Sequence, residues 1–143
     1  MSASNQKGFT LIELLVVISI IAVLSVIGLV AYGNVLKSSR DAKRQSDLKF
    51  IQSALEEYHA DQIYYPDSLP SPGTAFVFGT KTYLNQIPAD PKPPPAYSYV
   101  AFPTRCNNTT TKCTSYCLNA KMESTLTNTT CSTLGYNYGV TRP

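Results

Sequence analysis

The chain has 143 residues, which is enough for one modest domain. Its formal net charge of +3 arises entirely between residues 37 and 49, and the remaining charges balance. This local excess excludes the general basic character of a nucleic-acid-binding protein. With one histidine and no glycine-rich phosphate loop in the sequence, we expect that the chain is not an enzyme.

A long apolar run is the first feature along the chain. Residues 14–36 carry no charge and no proline, and they are rich in Leu, Ile and Val. A helix of this length spans a hydrocarbon core of about 30 Å. A secretory signal peptide has a shorter apolar region and a small-residue cleavage site after it, whereas basic residues follow this run. The run therefore predicts a membrane-inserted helix.

The helical pattern continues beyond the apolar run. Leu48, Ile51, Leu55 and Tyr58, which we call the helix stripe, recur at the intervals that place residues on one helix face. We therefore expect one helix from about residue 9 to about residue 61. Its first half is apolar on all sides and its second half is amphipathic.

Polar residues of this second half can be interpreted in two ways. The basic residues after the apolar run are Lys37, Arg40, Lys43, Arg44 and Lys49. We interpret them as a solvated helix face that pairs locally with Asp41 and Asp47, and attraction of anionic lipid or DNA is the alternative. Glu56 and Glu57 point in different directions from a helix and are interpreted as solvated surface, not as an acid–base pair.

The C-terminal part predicts a small antiparallel sheet. Proline occurs only from Pro66 onwards, and residues 65–95 predict an irregular Pro-rich connection. Residues 97–102 are aromatic and β-branched in character, and apolar residues alternate with polar or small ones at residues 118–123 and 135–140, as in strands. One face of such a sheet can cover the helix stripe. The predicted fold class is α+β, with a long helix packed on a small antiparallel sheet.

All four cysteines lie in the last third of the chain, at Cys106, Cys113, Cys117 and Cys131. A small polar domain has few other ways to stabilise itself, so we favour disulfides formed in an oxidising compartment. The spacings do not reproduce the paired C-x₂-C arrangement of common zinc sites, and no metal site is expected. Three pairings remain open.

Residues 7–13, with the sequence KGFTLIE, and the apolar run after them resemble the class III leader and N-terminal helix of type IV pilins and type II secretion pseudopilins. Weaker similarity to the major, G-type pseudopilins continues through Ala54-Leu55, Tyr58, Tyr65-Pro66 and residues 87–91 (IPADP). The resemblance implies a pilin fold. It divides the chain into a cleaved leader (1–8), a transmembrane and filament-core helix (9–36), an amphipathic continuation (37–61) and a globular head (62–143).

The resemblance also implies roles for individual residues. A prepilin peptidase would cleave after Gly8 and expose Phe9 as an N-methylated terminus, one helical turn before Glu13. A carboxylate in a membrane helix needs a partner. Glu13 would neutralise the terminal amine of a neighbouring subunit and so set the assembly register.

The implied partners are other copies in a homopolymeric filament, the prepilin peptidase, the membrane, and an inner-membrane assembly platform with its ATPase. No nucleic-acid partner is expected. Before assembly, the chain would cross the inner membrane once with its C-terminal domain outside, and afterwards it would lie in a periplasmic or extracellular filament. This orientation places basic residues on the outer side, against the positive-inside rule.

The predicted function is that of a structural subunit of a type IV pilus-like filament. One alternative is a major pseudopilin, whose filament exports folded proteins as a piston. A second alternative is a monomeric single-pass membrane protein with a small extracellular binding domain. Major pseudopilins bind calcium through an acidic C-terminal loop, but Glu123 is the only acidic residue after Asp90. We therefore expect no cofactor, with disulfides in place of calcium.

Overall fold

The computed structural model describes residues 8–124, 131 and 135–142. The predicted leader, apart from Gly8, lies outside these residues. The described elements, in chain order, are α1 (Leu11–Gln62), β1 (Phe76–Phe78), β2 (Lys81–Leu84), β3 (Ser98–Phe102), β4 (Ser115–Ala120) and β5 (Tyr138–Thr141). The α+β prediction is confirmed. The chain divides into two units, Met1–Leu36 and Lys37–Pro143, and the division falls where the apolar run ends.

Helix α1 agrees with the predicted helix to within two residues at each end. It ends where Ile63 adopts a left-handed conformation with φ of 65°. The Ile63 amide donates a hydrogen bond of 2.8 Å to the carbonyl oxygen of His59, which closes the last turn. Glycine is the usual residue at such a position, so the β-branched Ile63 carries a local backbone strain there.

The first unit presents an apolar surface on all sides. The large apolar side chains that the structure describes between Leu11 and Leu36 are exposed, from 81% at Leu11 to 39% at Leu36. By length and composition, α1 contains a segment able to cross a membrane. A helix that is apolar all round needs lipid or other apolar helices around it.

The core of the second unit forms between α1 and a sheet. Each residue of the helix stripe is at most 3% exposed, as predicted. Tyr116, Leu118 and Ala120 alternate along β4 and are equally buried in the same cluster. Complete burial of a large apolar side chain contributes roughly 1.5–3 kcal/mol, so this contact between helix and sheet contributes several kcal/mol to the stability of the unit.

Strands β3, β4 and β5 form an antiparallel sheet in sequential order. Val100 pairs with Cys117, and Leu118 pairs with Val140. The central strand departs from a simple pattern of one buried and one polar face, because Cys117 and Asn119 are also fully buried. Cys117 is linked to Cys131, which covers part of this second face.

A β-hairpin lies inside the segment that was predicted to be irregular. Strands β1 and β2 pair antiparallel, and Gly79 adopts a φ of 62° in the short turn between them. Phe76 and Tyr83 pack with their ring centroids 5.4 Å and 5.2 Å from that of Tyr58. The hairpin thereby covers the end of the helix stripe. Aromatic and β-branched residues on both sides of a Gly-containing turn were the sequence signal that the prediction missed.

Both disulfides are formed, and the structure selects one of the three open pairings. Cys106 is bonded to Cys113, and Cys117 is bonded to Cys131. The two bonds span sequence separations of 7 and 14 residues. Restriction of the unfolded chain by loops of this size stabilises the fold by about 2.5 and about 3 kcal/mol.

Candidate functional site

The start of α1 forms a capping box. Thr10 precedes the first helical residue, and its amide and hydroxyl groups donate hydrogen bonds of 2.8 Å and 2.7 Å to Oε2 of Glu13. In return, the amide of Glu13 donates to Oγ1 of Thr10 at 3.3 Å. These reciprocal bonds satisfy amide groups that a helix start leaves without partners. The T-x-x-E pattern was present in the sequence, but its capping role was not predicted.

Gly8 and Phe9 both lie outside the helix and are exposed, with Phe9 87% accessible. A β-carbon added to Gly8 would meet no atom within 4 Å, so packing does not require glycine there. Because α1 begins at Leu11, Phe9 is not on the first helical turn, and the expected helical spacing between Phe9 and Glu13 does not hold in this structure. The cleavage, methylation and register roles of these residues stay predictions.

Arg44 lies at the centre of a buried group of charges. Its guanidinium binds Asp90 through two bonds, Nε to Oδ2 at 2.7 Å and one terminal nitrogen to Oδ1 at 2.9 Å. The other terminal nitrogen binds Oδ1 of Asp41 at 2.8 Å and Oε1 of Glu123 at 3.2 Å. Arg44 and Asp41 are each 2% exposed and Asp90 is 6% exposed. The interpretation of Arg44 as part of a solvated face was therefore wrong.

Arg40 and two backbone amides complete this group. Arg40 also binds Glu123 through two bonds, of 2.6 Å and 2.7 Å. Asp41 accepts hydrogen bonds from the amides of Glu123 at 2.9 Å and Ser124 at 2.8 Å. We refer to Arg40, Asp41, Arg44, Asp90 and Glu123 together as the Arg44 cluster. It ties α1 to the Pro-rich connection and to the segment after β4.

The local part of the prediction for the basic segment is confirmed. Asp41 and Arg44 form an i,i+3 pair, and Lys43 lies 3.2 Å from Asp47 at i+4. Asp47 also accepts a hydrogen bond of 2.8 Å from the hydroxyl of Tyr97, which directly precedes β3. Lys37 and Lys49 remain exposed. Arg40, Lys43 and Arg44 are thus ion-paired within the fold.

The Arg44 cluster favours the ionised state of Glu123 and Asp41. Hydrogen bonds from Arg40 and, to a smaller extent, from Arg44 lower the pKa of Glu123 to about 2. Burial opposes ionisation of Asp41, but the hydrogen bonds that Asp41 accepts outweigh this effect and lower its pKa. Hydrogen bonding to Asp90 raises the pKa of Arg44. The unfolded chain therefore binds more protons than the folded chain in acid.

This linkage predicts acid destabilisation of the second unit. The stability due to ionised Glu123 is fully present above its ordinary pKa of about 4.5 and is lost as pH falls through that value towards about 2. Denaturant unfolding of the full chain in detergent, followed by the near-ultraviolet circular dichroism of its tyrosines, measures this. We expect a constant free energy of unfolding from pH 7 to about 5 and a steady fall below that.

Two variants control this prediction. Glu123→Gln removes one group with a lowered pKa and should flatten the acid decline. Asp67→Asn removes an exposed carboxylate outside the Arg44 cluster and should leave the decline unchanged. An equal acid decline in both variants would contradict the assignment to Glu123.

Glu56 and Glu57 have different surroundings. Glu56 accepts hydrogen bonds of 2.9 Å from the hydroxyl groups of both Tyr65 and Tyr116, so its interpretation as solvated surface was wrong. Glu57 is exposed, as expected, and lies 2.8 Å from Lys81. Burial and the bond to Glu56 raise the pKa of Tyr65 to about 12. Glu56 thereby links the end of α1 to β4 through Tyr116 and to the start of the Pro-rich connection through Tyr65.

Within the described ranges, no group of three or more His, Cys, Asp or Glu side chains is arranged to hold a metal ion. The carboxylates of Asp41, Asp90 and Glu123 do converge, but the guanidinium of Arg44 lies between them. The expectation that the chain uses no cofactor stays a prediction.

Comparison with known proteins adds sequence relationships to this geometry. Residues 3–29 match the family model described as the prokaryotic N-terminal methylation motif. Type II secretion system core protein G of Escherichia coli is 35% identical over 101 residues, which cover 63% of this chain and 69% of that protein. No solved structure gave a significant match.

Two further relatives match shorter parts of the chain. The type IV major pilin protein of Neisseria gonorrhoeae is 34% identical over 70 residues, 49% of this chain and 42% of that protein. Prepilin peptidase-dependent protein D of Escherichia coli is 65% identical over 35 residues, 24% of each chain. The motif, the long apolar helix and the extended similarity to protein G agree. The chain therefore belongs to the family of type IV pilins and type II secretion protein G.

Proposed function

We propose that this chain is a structural subunit of a type IV pilus-like filament that polymerises through its N-terminal helix. The observation that carries the proposal is the exposed, all-round apolar surface of α1 up to Leu36. A single copy cannot cover this surface. Lipid covers it before assembly, and a bundle of the same helices covers it in the filament core.

Processing by a prepilin peptidase is part of this proposal. The exposed Gly8–Phe9 junction lies within the matched methylation motif, and one relative is named as prepilin peptidase-dependent. Cleavage after Gly8 would be followed by methylation of Phe9. An inner-membrane platform and its ATPase would then extract the helix from the membrane, with the second unit on the outer side.

Mass spectrometry of the mature N-terminus tests the processing step. In a host that carries a prepilin peptidase, we expect a chain that begins at Phe9 and carries one added methyl group. The same chain expressed without the peptidase serves as the control and should retain its leader. An unprocessed chain in the host with the peptidase would instead favour the monomeric single-pass membrane protein.

A second candidate function is that of a major pseudopilin in a type II secretion system. The similarity to protein G covers 69% of that protein, whereas the similarity to the gonococcal pilin covers only 42%. Restoration of protein export in a strain that lacks its own protein G would favour the secretion role. Restoration of surface pili in a strain without its major pilin would favour the pilus role.

We further propose that the subunit has no enzymatic activity and needs no cofactor. The carboxylates that could have suggested acid–base chemistry have structural partners, since Glu56 holds two tyrosines and Glu57 pairs with Lys81. In the Arg44 cluster, the guanidinium of Arg44 supplies the positive charge among the carboxylates, so the cluster needs no metal ion.

A further inference from the structure

A lysine-rich cavity lies beside the Arg44 cluster. The cavity has a volume of about 360 Å³, and its lining includes Lys37, Lys92 and Lys121 together with Pro94, Pro95 and Met122. We refer to it as the lysine pocket. We propose that the lysine pocket binds the phosphate group of an anionic phospholipid in the membrane that α1 enters. The proposal rests on the membrane insertion that is part of the proposed function.

The position of Lys37 places the pocket at the edge of the membrane. Lys37 directly follows Leu36, the last residue of the uncharged run. Both residues belong to the uninterrupted helix α1, so Lys37 lies one residue beyond the apolar segment. A lysine at this place reaches the headgroup level, where its ammonium group meets lipid phosphates.

The lysines of the pocket carry positive charge that the described part of the fold does not neutralise. Lys37 and Lys121 are exposed and form no ion pair within that part. Lys92 is 3.8 Å from Glu123. Glu123 already binds Arg40 at 2.6 Å and Arg44 at 3.2 Å, so it is a weak partner for a third cation. The pocket therefore attracts an additional anion.

A lipid phosphate suits the pocket better than a carboxylate of a second copy. Apart from Glu13 and Asp67, every acidic side chain of the chain already binds a Lys, Arg or Tyr side chain. A second copy thus has few free carboxylates to offer. The apolar surface of Pro94, Pro95 and Met122 in the pocket matches the glycerol and ester region of a phospholipid.

Lipid selectivity of the full chain tests the proposal. The chain is reconstituted into phosphatidylcholine vesicles that contain a small fraction of spin-labelled phosphatidylglycerol or spin-labelled phosphatidylcholine. Electron paramagnetic resonance then gives the relative association of each lipid with the protein. We expect a preference for phosphatidylglycerol that Lys37→Gln/Lys121→Gln reduces by about fivefold for each lysine removed. The preference should also weaken with added salt.

Matched charge removal provides the control. Lys49→Gln/Arg142→Gln removes the same charge from two exposed positions outside the pocket and should retain the preference. Equal selectivity in the two double variants would overturn the proposal. Binding of inorganic phosphate to the chain without any lipid preference in vesicles would assign the pocket to free phosphate and also overturn the proposal.

Two further outcomes separate the proposals. Carbodiimide cross-links from Lys37 or Lys121 to a second copy, without lipid preference, would make the pocket a contact between subunits and overturn its assignment to lipid. Incorporation of every variant into vesicles is checked by flotation. Loss of incorporation would count against the proposed membrane insertion, whereas loss of selectivity in an incorporated chain would count only against the lysine pocket.

Discussion

Glu13→Gln is expected to reduce filament assembly by more than about tenfold while leaving leader cleavage intact, because it removes the negative charge that would pair with the amine of a neighbouring subunit. The structure makes Gln the informative replacement. The Glu13 carboxylate also caps α1 by accepting two hydrogen bonds from Thr10, and the oxygen of a Gln amide can accept the same bonds. Shear release of filaments followed by immunoblotting measures assembly, and the mass of the mature chain measures cleavage.

Thr10→Ala separates the two roles of Glu13. This variant removes the hydroxyl group of the capping box but keeps the carboxylate. We expect it to assemble filaments at close to the normal level, since loss of one cap costs only about 1 kcal/mol. Normal filaments from Glu13→Gln would refute the charge-pairing role. A loss in Thr10→Ala as large as that in Glu13→Gln would show that assembly depends on the cap and not on the charge alone.

Arg44→Met is expected to lower the free energy of unfolding by about 3–5 kcal/mol. The substitution keeps much of the aliphatic volume but leaves the carboxylates of Asp41 and Asp90 buried without their main cation. Denaturant titration of the full chain in detergent, followed by tyrosine circular dichroism, measures the loss. Because the cluster joins α1 to two distant segments, the second unit should unfold as a whole.

Lys43→Met is the matched control for Arg44→Met. Lys43 is one residue away and also pairs with an aspartate, but its side chain is 55% exposed. Its replacement should cost no more than about 1 kcal/mol. Addition of Asp90→Asn to Arg44→Met should recover part of the lost stability by removing a buried charge. An Arg44→Met chain as stable as Lys43→Met would show that the cluster does not stabilise the fold.

The parts of the structure that depend on local pattern were predictable. Uninterrupted helical periodicity predicted α1, and the spacing of the helix stripe predicted its buried face. Aromatic and β-branched character predicted the position of β3, and alternation predicted those of β4 and β5, each to within a few residues. In each of these segments the preference of neighbouring residues agrees with their tertiary packing.

The parts that depend on distant partners were not predictable. The sequence shows Asp41 as a near neighbour of Arg44. Asp90 and Glu123, in contrast, are separated from Arg44 by 46 and 79 residues. Because of such long-range contacts, charged residues whose sequence pattern is typical of a helix surface are buried in the fold. Glu56 became a partner of Tyr116 for the same reason. The hairpin of β1 and β2 is different, because prolines on both sides concealed a local signal that was present.

The capping box has a further consequence for the mature subunit. The amino end of a helix carries the positive pole of its dipole, roughly half an elementary charge. Removal of the leader after Gly8, as proposed, would place a cationic amine on Phe9, directly before the cap residue Thr10 and close to that pole. Two positive groups would then face each other in a medium of low polarity. The carboxylate of Glu13 from an arriving subunit would relieve this repulsion, so cleavage would itself create the positive charge that favours assembly.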